Sequence, residues 1–135
     1  MNPILKNVLA VIAGVVVGSA VNMAIIMISG SVIPLPEGVD ASNAESLKSN
    51  IHLFETKHYI MPFLAHALGT LVGAFVAAKI AANNKMKFSL AIGVFFIIGG
   101  ILNAKMIGSP LVPTLVDIIL AYIPFAWFGG KLANA

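Results

Sequence analysis

The sequence contains no cysteine and no arginine, and only 10% of its 135 residues are charged. Without cysteine, the chain cannot form disulfide bonds, thiolate metal sites or thiol redox centres. Its eight lysines outnumber the acidic residues by three, but they are spread along the chain rather than clustered, so nucleic acid is not an expected partner. Hydrophobic residues make up 59% of the chain, which is too much for an ordinary water-soluble domain of this length.

Long apolar runs lie between the few charged residues. A membrane-crossing helix needs about 20 mostly apolar residues. The sequence therefore predicts an all-α integral membrane protein in which residues 1–135 form a single four-helix domain. The predicted transmembrane helices are residues 4–29, 60–82, 88–107 and 111–132.

The positions of the lysines predict how these helices are oriented. Lysine is enriched on the cytoplasmic flanks of transmembrane helices. One side of the four-span arrangement carries five lysines and no acidic residue, and the other carries three lysines and five acidic residues. We therefore expect a multi-pass protein of the cell (inner) membrane with both termini in the cytoplasm. The five lysines of the cytoplasmic side are Lys6, Lys79, Lys85, Lys87 and Lys131.

An alternative interpretation of the first span is a secretory signal. Lys6 lies near the N-terminus, and Ser29, Gly30 and Ser31 loosely resemble a signal-peptide cleavage site. The apolar run is longer than a usual signal core, which favours a retained helix.

The two predicted hairpins resemble each other. The first span matches the third at an offset of 81 positions, and the second matches the fourth at an offset of 51. Matched helices would run in the same direction, so this pattern predicts a parallel repeat of two hairpins. The alternative is that apolar helices resemble one another by composition alone. The matched pairs include Lys6 with Lys87, Gly18 with Gly99, Asn22 with Asn103, Pro62 with Pro113 and His66 with Asp117.

Four polar side chains inside the spans are predicted to share one depth. Counted from the lysine at each cytoplasmic end, they lie about 20 to 24 Å along their helices. Lys105 would lie slightly higher and cap them. The sequence therefore predicts an outward-opening polar cluster that contacts a ligand or a proton. Its members are Asn22, His66, Asn103 and Asp117.

His66 and Asp117 are the residues most expected to function. An aspartate at the centre of a bilayer costs at least about 2.5 kcal/mol on insertion scales, so it usually has a partner or a role. Histidine changes charge near neutral pH, which predicts a link to protons. Structural alternatives stay open: Asp117 pairs with Lys105, His66 is a neutral hydrogen-bonding group, and the asparagines join helices.

Small residues recur every four positions in the first two spans. Gly14 and Gly18 lie on one ridge, and Gly69 and Gly73 lie on the other. Such ridges allow helices to approach closely in lipid, and antiparallel packing would bring Asn22 beside Gly69. In the fourth span, the pattern predicts a kink at Pro124, and it predicts that Tyr122 and Trp127 are packing residues or interface anchors.

The loop between the first two spans contains a predicted amphipathic helix. Ser42 and Glu45 match a capping box, and an apolar face follows, so we expect a helix over residues 42–58 on the outer surface or over the bundle. The residues His52, Glu55 and His58 recur every three positions. They are only weak candidates for a metal site because they spread over about 120° of a helix.

The functional expectation follows from the site rather than from any motif. No nucleophile beside a base, phosphate-binding loop or zinc-spaced motif is present, so neither an enzyme nor a cofactor is predicted. We expect a proton-linked binder or transporter of a small solute or ion. The alternative is a non-transporting membrane subunit or assembly protein that docks to a partner complex. Expected partners are the lipid bilayer and either further copies of the chain or a membrane partner protein.

Overall fold

The computed structural model describes all 135 residues, and every regular element in it is helical. Four segments are long and apolar enough to cross a membrane, which confirms the predicted helical class and the four apolar spans. The helices are α1 (Pro3–Val32), α2 (Ala44–Asn50), α3 (Ile60–Ile80), α4 (Lys85–Ile107), α5 (Leu111–Leu120) and α6 (Ile123–Leu132), with 3₁₀ turns at Ile51–Leu53 and Thr56–Tyr59.

The two ends of the bundle carry different connecting segments. The loop end carries residues 33–59 and the α4–α5 turn, and the termini end carries both termini and the α3–α4 turn. Asn7 holds the start of α1 against that turn. Its side-chain amide donates to Oδ1 of Asn83 at 3.0 Å, and its Oδ1 accepts from the backbone N–H of Ala82 at 2.8 Å.

Helices α1 and α3 pack through glycines. A Cβ atom added at Gly14 would lie 2.7 Å from the carbonyl oxygen of Gly73, and one added at Gly18 would lie 2.7 Å from that of Gly69. Only glycine fits at this separation, and the close approach brings many atoms of the two backbones into van der Waals contact. The same approach places Asn22 beside Gly69, 3.0 Å from the position of such an added Cβ.

The termini-end half of the bundle is closed by packed small residues. Helix α3 lies at the centre and packs against α1, α4 and α6. Ala74, Ala77, Ile92 and Ala126 form a fully buried apolar cluster among these helices. Beside it, the buried hydroxyl of Ser89 donates to the carbonyl oxygen of Ala126 at 2.7 Å.

The predicted helix over residues 42–58 is wrong in extent and in its cap. Only Ala44–Asn50 is α-helical, and two 3₁₀ turns follow. The cap is Asn43, whose side chain accepts from the N–H of Ser46, while the hydroxyl of Ser42 donates to Asp40 instead. Asparagine and serine compete for the backbone groups here, and Asn43 satisfies an N–H of the first turn.

The fourth span is broken rather than continuous. Helix α5 ends at Leu120 and α6 begins at Ile123, so the interruption falls just before Pro124. Proline lacks the N–H that would bond to the carbonyl of residue 120, and its ring clashes with that carbonyl. Tyr122 lies in the break and is only 2% exposed, so of its two predicted roles it has the packing one and not the interface one.

The predicted parallel repeat stays a hypothesis. Gly18 packs tightly against α3, whereas its matched residue Gly99 has open space around it. One feature does recur, because two lysines near the termini end each lie over an aromatic ring, at 5.7 and 5.4 Å from its centroid. The two pairs are Phe75 with Lys79 and Trp127 with Lys131.

Candidate functional site

Three side chains meet in the loop-end half of the bundle. Nδ1 of His66 on α3 lies 2.8 Å from Oδ1 and 2.9 Å from Oδ2 of Asp117 on α5. The hydroxyl of Tyr122 donates to Oδ2 of Asp117 at 3.1 Å. The ring of Tyr122 also stacks on the imidazole of His66, with centroids 5.7 Å apart. These residues are called the His–Asp–Tyr cluster below.

The break in the fourth span is what allows Tyr122 to reach Asp117. In a continuous helix, residues five apart point about 140° away from each other. The interruption at Ala121–Tyr122 changes the direction of the chain, so both side chains face α3. On the opposite side, Gly100 of α4 leaves room for the Tyr122 hydroxyl, because a Cβ at Gly100 would collide with that oxygen.

The contacts of His66 define its tautomer. An ionised carboxylate only accepts hydrogen bonds, so Nδ1 of His66 carries a hydrogen and donates it to Asp117. Nε2 has no hydrogen-bond partner in the protein and is not among the atoms sealed from solvent. A histidine held in this way by a carboxylate presents its second nitrogen to a proton or a ligand. Nε2 is therefore the reactive atom of the cluster.

The cluster lies in a cavity of about 870 Å³. Helices α1, α3, α4 and α5 form its walls, and residues of the segment 47–59 lie over it at the loop end. Its deepest residue on α3 is Thr70, ten residues beyond the start of that helix and thus about 15 Å along it. The volume falls within the range of roughly 300 to 1,000 Å³ that small-molecule sites occupy.

Three residues that line the cavity have a buried side-chain oxygen without a hydrogen-bond partner. They are Asn22 (Oδ1), Tyr59 (hydroxyl) and Thr70 (Oγ1). A buried polar atom that lacks a partner costs about 1 to 3 kcal/mol, so structures rarely keep one without a reason. All three oxygens are sealed from solvent in this conformation, so a ligand in the cavity could bond to them only after the neighbouring side chains move.

The charges around the cavity are few and of one sign. No lysine lines it, and Asp117 is its only carboxylate. Lys105 is exposed and lies outside the lining, so it neither caps the cavity nor pairs with Asp117. The carboxylate of Asp117 instead uses His66 and Tyr122 as its partners.

The structure brings together most of the residues that the sequence singled out. Asn22, His66, Asn103 and Asp117 all line the cavity. Tyr122, Thr70 and Tyr59 were not expected there. The proline two residues after Tyr122 was the available signal, since a helix break there redirects this side chain. Nothing in the sequence separates Thr70 from an ordinary helix-packing threonine.

The weak metal candidates of the loop do not form a common site. His58 is buried and pairs with Glu55 in a capping box, in which its Nδ1 accepts from the Glu55 backbone N–H at 2.8 Å. The carboxylate of Glu55 is exposed and lies 3.5 Å from Lys57. His52 is exposed, and no group of three or more residues able to ligate a metal occurs in the structure.

The comparisons with known proteins leave the geometry as the only guide to function. No protein-family model matches the chain, and neither the curated proteins nor the solved structures contain a significant match. Chemically, the cavity offers one exchangeable proton at His66, hydrogen-bond acceptors and donors at several depths, and apolar walls. Such a site suits reversible binding.

Proposed function

We propose that this chain is a multi-pass membrane protein that binds a small solute in its cavity and couples binding to the protonation of His66. The four apolar helices would span the cell membrane. The lysines at the termini end favour placing that end, with both termini, in the cytoplasm. The cavity then opens towards the outside of the cell.

A single observation carries this proposal: an ionisable pair, His66 and Asp117, is held inside a cavity of ligand size by a third residue. A structural ion pair needs no cavity around it. Here Nε2 of His66 has no partner in the protein, while Nδ1 is held by Asp117. Ionisable groups that line a cavity of ligand size are typical of coupled sites.

The coupling has a simple electrostatic basis. When His66 is protonated, its charge neutralises Asp117 and the pair is formally uncharged. When His66 is neutral, the pair carries one negative charge in a poorly solvated place, where charge has large effects. A solute that interacts differently with these two states must shift the protonation of His66, and protonation must shift its affinity equally.

The packing of the termini-end half limits this conformation to binding a solute from the loop end. The cavity lining reaches no further along α3 than Thr70, and the buried cluster of Ala74, Ala77, Ile92 and Ala126 packs beyond it. Binding from the loop end is compatible with this conformation. Transport would require a second conformation in which these contacts separate, as in alternating access.

Proton flux in liposomes tests the proposal. Purified protein is reconstituted with a pH-sensitive dye inside, and small amines, polyols and carboxylates are added in turn from outside. We expect at least one class to produce a change in internal pH with the native protein and not with Asp117→Asn. The variant Lys105→Gln, which removes a charge outside the cavity, should behave like the native protein. A response to no class would contradict proton-coupled transport, and an unchanged response in Asp117→Asn would contradict a role of the His66–Asp117 pair in it.

The closed half also favours a second candidate, a non-transporting subunit that docks to another membrane protein. In that case the cavity would fix the arrangement of the helices or hold a part of the partner. Native mass spectrometry from mild detergent distinguishes the candidates, because co-purification with a different chain in fixed ratio favours the subunit. The residues of one chain line the cavity, which stays partly open, so either a further copy of the chain or a partner protein could cover it.

A further inference from the structure

We infer that the solute is a small organic cation with an apolar body, and that it exchanges with the proton of His66 in a one-to-one ratio. This inference rests on the proposed function and adds the ligand class and the stoichiometry to it. Three properties of the cavity lead to it: its charge, its aromatic residues and the absence of lysine from its lining.

The charge of the cavity favours a cation and depends on His66 alone. The titratable groups that line it are Asp117, Tyr122, His66, His58 and Tyr59. His58 accepts a hydrogen bond at Nδ1, so in this arrangement it is neutral. Helices α1 and α4 contribute asparagines but no charged side chain. Deprotonation of His66 therefore leaves Asp117 as the only full charge facing the cavity.

A single bound cation restores the neutrality that the proton provides. With His66 protonated, a cation would meet a neutral pair and an adjacent positive imidazolium. With His66 neutral, the same cation would meet the unbalanced carboxylate of Asp117, which stabilises it. Proton and cation thus compete for one negative charge, which predicts the exchange ratio of one.

The aromatic residues of the lining suit an organic cation rather than a hydrated metal ion. Five aromatic rings other than histidine surround the cavity, and the faces of such rings attract ammonium groups. Half of the lining residues are hydrophobic, which accommodates an apolar body. The five rings belong to Phe54, Tyr59, Phe63, Phe96 and Tyr122.

The absence of lysine from the lining completes the argument. A carboxylate or phosphate ligand would find no lysine in the lining and would face Asp117. An anion would therefore lose its hydration without a compensating charge.

Isothermal titration calorimetry with three matched probes tests the inference. Phenethylammonium, 2-phenylethanol and phenylacetate share one apolar body and differ in charge. We expect the native protein in nanodiscs to bind phenethylammonium at least about tenfold more tightly than the other two at pH 8. The affinity should fall as the pH is lowered, by up to about tenfold per unit once His66 is protonated. Titrations in buffers of different ionisation enthalpy should then show close to one proton released per cation.

Two substitutions separate this mechanism from a structural role. Asp117→Asn removes the negative charge and should weaken cation binding about tenfold or more at pH 8. His66→Gln keeps Asp117 charged and can still donate to it, so cation binding should persist, lose its pH dependence and release no proton. Lys105→Gln should match the native protein in its affinity for phenethylammonium, in the pH dependence of that affinity and in the protons released per cation.

Each of the following results would overturn the inference about the ligand. The proposed function would still be tested separately by the liposome experiment. Equal binding of 2-phenylethanol and phenethylammonium would mean a neutral solute, and preferred binding of phenylacetate would mean an anion. Binding of neither phenethylammonium nor cyclohexylammonium nor butylammonium, tested in the same way, would exclude a small organic cation with an apolar body. In each case, proton flux with polyols or carboxylates that is abolished in Asp117→Asn would still support coupled binding.

Discussion

Nδ1 of His66 and the carboxylate of Asp117 lie 2.8 Å apart, although 51 residues separate them in the chain. Their contact is the only side-chain hydrogen bond that joins α3 to the broken fourth span. It lies in the half of the bundle that contains the cavity, whereas the other half is held by apolar and glycine packing. The charge of one imidazole therefore affects both the ligand site and the joint between two helices.

Gly100→Ala should disturb the His–Asp–Tyr cluster, whereas the neighbouring Gly99→Ala should not. A Cβ at Gly100 would collide with the hydroxyl of Tyr122, which is buried and has little freedom to move, and a Cβ at Gly99 meets nothing within 4 Å. We expect Gly100→Ala to break the hydrogen bond to Asp117, at a cost of about 1 to 3 kcal/mol. Proton release on ligand binding, compared between the two variants, measures the effect. Equal behaviour of both variants would show that Tyr122 does not position Asp117.

Gly18→Ala should destabilise the pairing of α1 with α3. The added methyl group would lie 2.7 Å from the carbonyl oxygen of Gly69, so the helices must separate. Overpacking of this kind costs about 1 to 3 kcal/mol, which exceeds the gain of up to about 1 kcal/mol from the helix propensity of alanine. Thermal unfolding in detergent should show a lower midpoint.

Gly30→Ala is the matched control on the same helix, because nothing lies within 4 Å of its added Cβ. This variant should unfold at the native midpoint or slightly above it. If Gly18→Ala is as stable as Gly30→Ala, the close packing of α1 and α3 does not stabilise the bundle.

Single cysteines should report the orientation of the chain, because the native sequence has none to interfere. Ser109→Cys lies in the α4–α5 turn at the loop end, and Asn134→Cys follows α6 at the termini end. We expect a membrane-impermeant maleimide to label the first in intact cells and the second only after permeabilisation. The reverse pattern would contradict cytoplasmic termini and an outward cavity.

Ser42→Ala should raise the pKa of Asp40 in the loop between α1 and α2. The hydroxyl of Ser42 donates to Oδ1 of Asp40 at 2.7 Å, and its backbone N–H donates at 2.9 Å. These bonds stabilise the carboxylate and lower its pKa, the hydroxyl bond being the larger cause. Substitution removes that bond and keeps the backbone one, so the pKa should move only partly towards the ordinary value.

The sign of the linked stability follows from the lowered pKa. The stabilisation from Asp40 is present above the pKa of the unfolded chain and is lost as the pH falls through the lower, folded value. NMR titration of the aspartate side chain in the native protein and in Ser42→Ala measures the shift. An unchanged titration curve would show that the hydroxyl bond is absent in solution.

The sequence predicted the spans well because length and apolarity suffice for them. Helix α4 still begins at Lys85, three residues before the predicted start, since two lysines were assigned to the turn. A lysine in a first helical turn reaches solvent with its long side chain, so its charge does not end a helix. The loop helix was overextended for a different reason: its helical periodicity continues into residues that form 3₁₀ turns.

The candidate site was only partly predictable. Counting distances along the helices selected Asn22, His66, Asn103 and Asp117. This count does not show in which direction each side chain points around its helix axis. It could not distinguish His66 from Lys105 as the partner of Asp117. Pro124 indicates a break in the fourth span, but the direction in which the break turns Tyr122 is set by packing against α3 and α4, which the local sequence does not show.

The hydrogen bonds of Asn7 have a mechanical consequence for the opposite end of α1. They and the glycine contacts hold the first half of this 30-residue helix, whereas its last turns border the cavity and pack less closely. Helix α1 is thus held in place from its start to about Gly18, and the part after Gly18 has fewer contacts. Slight bending beyond that point would widen the mouth of the cavity and let it admit bodies of different length without unfolding the rest of the protein.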